Sequence, residues 1–383
     1  MNILQINASY KPAYIYGGPT MSVSKLSEQL VKYGCNVEVF STTANGAAEL
    51  HVVKGRPQNI DGVSVRYFKR ITKDHSHLSP QLLITLWKEV RKFDVVHIHA
   101  WWNLVSIFSC CIALFRKVPV VLSPRGTLSS YSFANRHIAI KRLFHAIAGR
   151  FLLNRCHFHT TSEREQESME QLVKPKSIST IYNAVDLPPY IPPAVQENEM
   201  IKLLFLSRID QKKGLELLFG ALAALSIPYQ LTIAGAGEAR YIAMLKELSR
   251  QYQIHKHIHW VGFKGNDKFE LIAQHHLLVL PSYDENFGNV VIESLCVGTA
   301  VLISNAVGLA KYVAKNNLGW ICDTNIDSIK ERLHAIHRNP GLLTIIREYA
   351  PIIIVNEFNE HKLIQQYLKM YQQILNPTLQ FRG

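Results

Sequence analysis

Asn2-Ile3-Leu4-Gln5-Ile6-Asn7 reads as a strand, and it leads into a loop that ends Tyr16-Gly17-Gly18-Pro19. Val23, Leu26 and Leu30 then recur at helical spacing, Gly34 stops the helix, and Val37 and Val39 alternate inward along a second strand. Strand, glycine loop, helix and strand in that order build a parallel sheet with crossover helices. The same alternation predicts strands at Val95–His99 and Val118–Leu122, and a long helix with basic and apolar faces from about Arg136 to Leu153. It breaks at Asp186-Leu187-Pro188-Pro189-Tyr190-Ile191-Pro192-Pro193, a stiff connector followed by a polar stretch through Glu199. It then restarts with strands expected at Leu203–Leu206, Gln230–Ala234, Ile258–Val261, Leu277–Leu280 and Val301–Ser304. Three amphipathic segments follow, the last from about Glu360 to Leu375. The fold class is therefore α/β: two Rossmann-like domains, 1–185 and 201–358, joined by a linker at 186–200. Each sheet should present its carboxyl edge to a central cleft, where such folds bind ligands.

Composition agrees with a globular chain and bounds its surroundings. Of 383 residues 48% are apolar and 19% charged, which excludes disorder. The longest apolar run, Leu104–Phe115, ends at Arg116-Lys117, short of the roughly 20 residues a membrane span needs. No basic n-region precedes the first strand, so a cytoplasmic location is expected. Six scattered cysteines form no CxxC pair and read as reduced thiols. Residues 1–186 hold 23 Lys and Arg against 12 Asp and Glu, whereas 187–383 hold 19 against 17. The basic half attracts an anionic partner, whether nucleic acid, acidic lipid or a phosphate-bearing substrate, and the asymmetry alone does not choose among them.

Two loops carry the chemistry. Asp284-Glu285-Asn286-Phe287-Gly288-Asn289-Val290-Val291-Ile292-Glu293 follows a strand and opens a helix near Asn289. Glu285 and Glu293 then stand on the order of 8–10 Å apart along the axis, too far to share a proton but able to grip two ends of one ligand. Between them the amides of Phe287, Gly288 and Asn289 form a helix N-terminus, which favours an anion. The second loop, Ser207-Arg208-Ile209-Asp210-Gln211-Lys212-Lys213-Gly214, follows the first strand of the second domain. Arg208 and Lys213 together can neutralise a departing diphosphate. Taken singly, each loop has a plainer explanation: a helix entry with an exposed glutamate, and a solvated basic turn.

The pairing of Ser-Arg-x4-Lys-Gly with Glu-Asn-Phe-Gly-x4-Glu resembles the retaining glycosyltransferases of family four, which have the GT-B fold. Asn183-Ala184-Val185-Asp186 is similar to that family's Asn-Gly-Val-Asp signature with Ala in place of Gly. Ala234-Gly235-Ala236-Gly237 resembles its glycine turn, and Tyr16-Gly17-Gly18-Pro19 its N-terminal phosphate loop. The resemblance implies that residues 359–383 form a helix crossing back to the first domain, which would be the acceptor side. It implies that Glu293 accepts hydrogen bonds from the donor ribose, that Glu285 contacts the transferred sugar, and that Arg208 and Lys213 bind the diphosphate. Phe287, Gly288, Asn289, Gly237 and Gly18 would complete donor binding. It further implies a nucleotide diphosphate sugar as co-substrate with no metal, a lipid-linked or oligosaccharide acceptor, and no nucleic-acid partner. The expected role is assembly of a surface polysaccharide (capsule, O-antigen or exopolysaccharide), with the basic first half resting on the inner face of the membrane.

Two segments depart from the family pattern. Where members carry a His-Gly pair, this chain has Ser123-Pro124-Arg125-Gly126; Arg125 cannot act as a base but could hold an anionic acceptor or a donor phosphate. Asn305–Lys311 lacks the Gly-Gly-x-Pro-Glu that members often show. His99 could reach the acceptor or be structural, and Trp101 and Trp102 could be core or could stack on a sugar. His255, His257 and His259 alternate as on one face of a strand entry and lack a carboxylate or cysteine that would make them a metal site. The basic segment from Arg136 to Arg155 resembles a membrane-surface helix and equally fits a packed helix with a solvated basic face. Two other functions share these features: a nucleotide-sugar epimerase, which needs no acceptor, and a non-catalytic scaffold of the same fold.

Overall fold

A computed structural model of the chain describes residues 1–129, 131, 138–188, 200–265 and 267–376. Residues 189–199 of the expected linker, Arg136 and His137 of the basic helix, and 377–383 of the C-terminal segment lie outside the described residues. The chain divides into two compact units, one formed by Met1–Ala184 with Glu360–Gly383 and the other by Val185–Asn359.

The first unit is built on an eight-stranded sheet in the order Ser177–Thr180, His157–Thr160, Val120–Ser123, Val95–His99, Asn2–Asn7, Asn36–Thr42, Val63–Phe68, Pro57–Ile60. Every neighbouring pair is parallel except the last, which is an antiparallel hairpin. The order reverses at Asn2–Asn7: the chain first steps outward on one flank, then returns to lay Val95–His99 on the other. Alternate residues of each strand feed two cores. Ile3, Val37 and Val95 pack with Val23, Leu26 and Leu30 of the helix Gly18–Lys32 and with Leu363, Tyr367 and Met370 of the helix Glu360–Leu375. Leu4, Phe40 and Val96 pack on the opposite face with the helices Pro80–Glu89 and Leu104–Phe115. The C-terminal helix thus belongs to the first unit, tied at its start by a 2.6 Å ion pair from Lys25 to Glu360.

The second unit has six parallel strands in the order Ile258–Gly262, Tyr229–Ala234, Ile201–Leu206, Leu277–Leu280, Ala300–Ser304, Gly319–Cys322. Its inner strands are continuous apolar runs because helices cover both faces. The order reverses between Ile201–Leu206 and Leu277–Leu280, so the loops after these two neighbours flank the switch point.

Two local expectations are corrected. The helix expected over 136–153 is not one regular helix where it is described: Ile138–Phe144 passes through a five-residue π turn, His145–Gly149, into Arg150–Leu153. A π turn adds a residue and rotates the face that follows. His255–His257 forms a 3-10 turn, and only His259 of the three histidines lies in the strand.

Candidate active site

The site is assembled at the carboxyl edge of the second sheet, from the two loops that flank its switch point. After Ile201–Leu206, Asp210 caps a short 3-10 turn by accepting from the Lys212 amide at 2.9 Å, which sets Lys212 and Lys213 side by side. After Leu277–Leu280, the loop presents Asp284 and Glu285 in the same order. Lys212 pairs with Asp284 at 2.8 Å and Lys213 pairs with Glu285, two ion pairs in register that join the loops. A backbone bond from Tyr283 N to Lys212 O at 2.9 Å runs alongside them. Lys213 and Asp284 are buried, so both charges depend on these partners rather than on water.

Neighbouring loops hold this pair of strands' ends in place. Glu285 donates its amide to Ala306 O at 3.1 Å and accepts from the Gly308 amide at 2.8 Å, in the segment Asn305–Lys311 where the sequence leaves the family pattern. On the other side, Ile209 N donates to Ala236 O at 2.8 Å. A Cβ at Gly237 would lie 2.2 Å from Ile209 O, so the glycine lets two backbones run flush and has a packing reason independent of any ligand.

Gly288 adopts φ +90° and starts the helix Asn289–Cys296. Phe287 is buried with its ring 6.3 Å from that of Phe358, so its side chain is core and only its backbone is available to a ligand. Glu293, on the helix, is held by Lys268 at 2.9 Å. Arg208 is exposed at the end of its strand. The structure thus brings Lys213, Glu285, Gly288 and Glu293 onto two adjoining loops and one helix. Lys268 and the Lys212–Asp284 pair were not among the expected residues. No motif links Lys268 to Glu293 across 24 intervening positions; the fold makes them neighbours.

In the first unit, Gly18 is exposed at the start of its helix with Pro19 in the first turn, while the positive φ of that loop falls on Gly17. The expectation that His99 reaches an acceptor is corrected. His99 is fully buried, Nε2 lies 2.6 Å from Gln5 Oε1, and Nδ1 accepts from Arg125 Nε at 3.1 Å. Both nitrogens are occupied, and burial holds its pKa well below the ordinary histidine value. Arg125 also donates to Asn183 Oδ1 at 3.0 Å, and so ties a strand end to the family-like signature. Trp101 is core, and Trp102 is partly buried with Lys141 Nζ 5.6 Å above its ring.

Behind Arg125 lies a polar chain in the core. His159 Nε2 donates to Ile181 O at 2.9 Å, which fixes its tautomer, so Nδ1 accepts from Ser123 Oγ at 2.6 Å. The serine in turn accepts from His97 Nε2 at 2.6 Å, and His97 Nδ1 accepts from Tyr371 at 2.6 Å. All three histidines are neutral, since every ring nitrogen has a defined neutral role and burial opposes a charge.

Comparison with known proteins fits this geometry. Residues 16–188 match the family model described as Glycosyltransferase Family 4, and residues 191–353 match that of glycosyl transferases group 1. The chain belongs to glycosyltransferase family four. This transferase is 23% identical to an uncharacterized glycosyltransferase of Methanocaldococcus jannaschii, over 97% of its own length and 98% of the relative's. It is 30% identical to the N-acetylgalactosamine-N,N'-diacetylbacillosaminyl-diphospho-undecaprenol 4-alpha-N-acetylgalactosaminyltransferase of Campylobacter jejuni, over 35% of its length and 36% of the relative's. The fold matches that of Anabaena HepE solved with UDP-glucose, with a TM-score of 0.74 and 18% identity over 97% of this chain and 100% of that one. The GT-B fold and the transferase class follow.

Proposed function

We propose that the transferase moves a sugar, with retention, from a nucleoside diphosphate sugar to a glycan carried on a lipid diphosphate at the cytoplasmic face of a membrane, in assembly of a surface polysaccharide. The observation that carries this reading is the Lys213–Glu285 pair at the switch point, one turn of backbone from the helix that begins at Gly288. A diphosphate entering there competes with Glu285 for the ammonium. Lys213 would move its charge to the phosphate, and the carboxylate released from it would accept from the hydroxyls of the sugar. Arg208, exposed beside them, would add a second cation as the glycosidic bond breaks and charge accumulates on the leaving oxygen. Glu293, oriented by Lys268, would accept from the ribose. In a front-face reaction the departing phosphate takes the acceptor proton, so neither a protein base nor a metal ion is required. The diphospho-undecaprenol in the Campylobacter relative's name and the UDP-glucose in the Anabaena structure support the two substrate classes.

Thermal-shift measurements with UDP-, GDP- and ADP-sugars test this reading, because a ligand that binds the native state raises the melting temperature. One donor class should give a shift that Glu293→Ala and Lys213→Ala each abolish while the proteins remain folded. Wild-type shifts in both variants would overturn the site. Donor incubated without acceptor should yield no isomeric sugar.

A further inference from the structure

The two ion pairs at the switch point stand in different surroundings. The Asp284 side chain is 4% exposed and that of its partner Lys212 30%, whereas Lys213 and Glu285 are 10% and 20% exposed. Lys212 is fixed three times over. Its amide donates to Asp210 Oδ1 at 2.9 Å, its carbonyl accepts from the Tyr283 amide at 2.9 Å, and its ammonium lies 2.8 Å from Asp284 Oδ2. The last two bonds cross to the loop after Leu277–Leu280. Just beyond, at Gly214, the loops meet backbone to backbone, since a Cβ there would lie 2.3 Å from Pro281 O. Glu285 is anchored on its other side, its amide donating to Ala306 O and its carbonyl accepting from the Gly308 amide.

These differences decide which pair a ligand can open. An anion that drew Lys212 away would take the cation from an enclosed carboxylate, and a buried charge that loses its counter-ion is costly. An anion that drew Lys213 away would leave Glu285, the more open carboxylate, to bond water or a ligand hydroxyl. Opening that pair removes one of the two ionic ties between the loops just as a diphosphate brings further negative charge to them. We propose that Lys212 and Asp284 are positioning residues: their pair is a standing latch that keeps the two loops joined while Lys213 and Glu285 part to receive the diphosphate and the sugar. Neither latch residue touches the substrate. The inference rests on the donor site proposed above and gives its two ion pairs separate tasks.

Isothermal titration of UDP, GDP and ADP into the full chain, well below the melting temperature, tests the latch. Asp284→Asn is the deciding variant. It deletes a negative charge beside an anion site, so charge alone predicts tighter binding, whereas a broken latch predicts binding about tenfold weaker. Lys212→Met/Asp284→Asn removes both charges together and so guards against misfolding around an uncompensated carboxylate. It should bind within about twofold of Asp284→Asn, because either change breaks the same pair. Lys212→Arg, which can keep the pair, should stay within about threefold of wild type. A merely structural pair would lower the melting temperature of the double variant and leave the affinity of the folded protein as it was. Lys213→Ala is the control for the site itself and should lose binding about 100-fold. Loss of binding in Lys213→Ala with equal or tighter binding in Asp284→Asn would overturn the latch and leave the donor site standing. Wild-type binding by Lys213→Ala, or no binding of any of the three nucleotides to wild type, would overturn both.

Discussion

Lowering the pH should unfold the first unit, and the buried histidines set where. His97, His99 and His159 are fully buried and neutral, with burial as the first cause of their lowered pKa values; that of His159 is pushed down to about 3. In the unfolded chain each titrates near the ordinary value of about 6.5. Below that value the unfolded state binds protons that the folded state refuses, so stability is complete above about pH 6.5 and falls as the pH drops toward the folded values. Each group contributes a slope of about 1.4 kcal/mol per pH unit, and three give about 4 kcal/mol per unit. Against a typical stability of about 5–15 kcal/mol, roughly one to four units suffice. The assay is urea unfolding followed by tryptophan fluorescence between pH 7.5 and about 4.5, with the stability plotted against pH. His159→Gln should be less stable than wild type at pH 7.5 because the Ser123 and Ile181 bonds change, yet its slope below pH 6 should be shallower by about 1.4 kcal/mol per unit. A slope unchanged by that substitution, or a flat profile in wild type down to pH 5, would refute the assignment of neutral buried rings.

Other outcomes follow from the second unit. Arg208→Ala should leave stability within about 0.5 kcal/mol, because the side chain is exposed, while lowering kcat about 100-fold; initial rates with the donor found by thermal shift check both parts. Gly237→Ala should cost about 2–4 kcal/mol, read from urea midpoints, since its Cβ would lie 2.2 Å from Ile209 O and one loop must give way. Lys268→Met should raise KM for the donor about tenfold with kcat little changed, because it frees Glu293 from its partner without touching the reacting bond. Prolonged dialysis against EDTA should leave turnover intact.

Much of the architecture was legible because apolar runs and glycine punctuation recur along the chain. Val95–His99 and Leu277–Leu280 coincide with expectation, and Ile201–Leu206 and Tyr229–Ala234 extend the expected strands at their starts. Strands that the periodicity missed have physical causes. His157–Thr160 is buried through hydrogen-bonded histidine and threonine rather than through alternating apolar residues, so a hydrophobic pattern cannot find it. Pro57–Ile60 is a polar edge strand, but Asp61-Gly62, both at positive φ, was a hairpin signal that could have placed it against Val63–Phe68. At the site, side chains fixed by motif spacing (Lys213, Glu285, Glu293) were legible. Their counter-ions were less so: Lys268 depends on tertiary packing, and the Lys212–Asp284 pair became visible only once the two loops lay side by side. His99 stayed open between acceptor contact and a structural role because strand position says nothing about what Gln5 and Arg125 occupy.

Because Tyr367, Met370 and Tyr371 fill the core laid down by residues 1–184, the half of the protein that is made first has to wait for its own last piece. Translation of the 175 residues from Val185 to Asn359 takes roughly 10–35 s at ordinary elongation rates. During that interval the apolar face awaiting the closing helix needs shelter, while the inserted Val185–Asn359 segment already holds every strand of its own sheet. Birth order and maturation order are therefore opposite, and a chain cut short just before Glu360 would have a second unit that is finished and a first unit that is not.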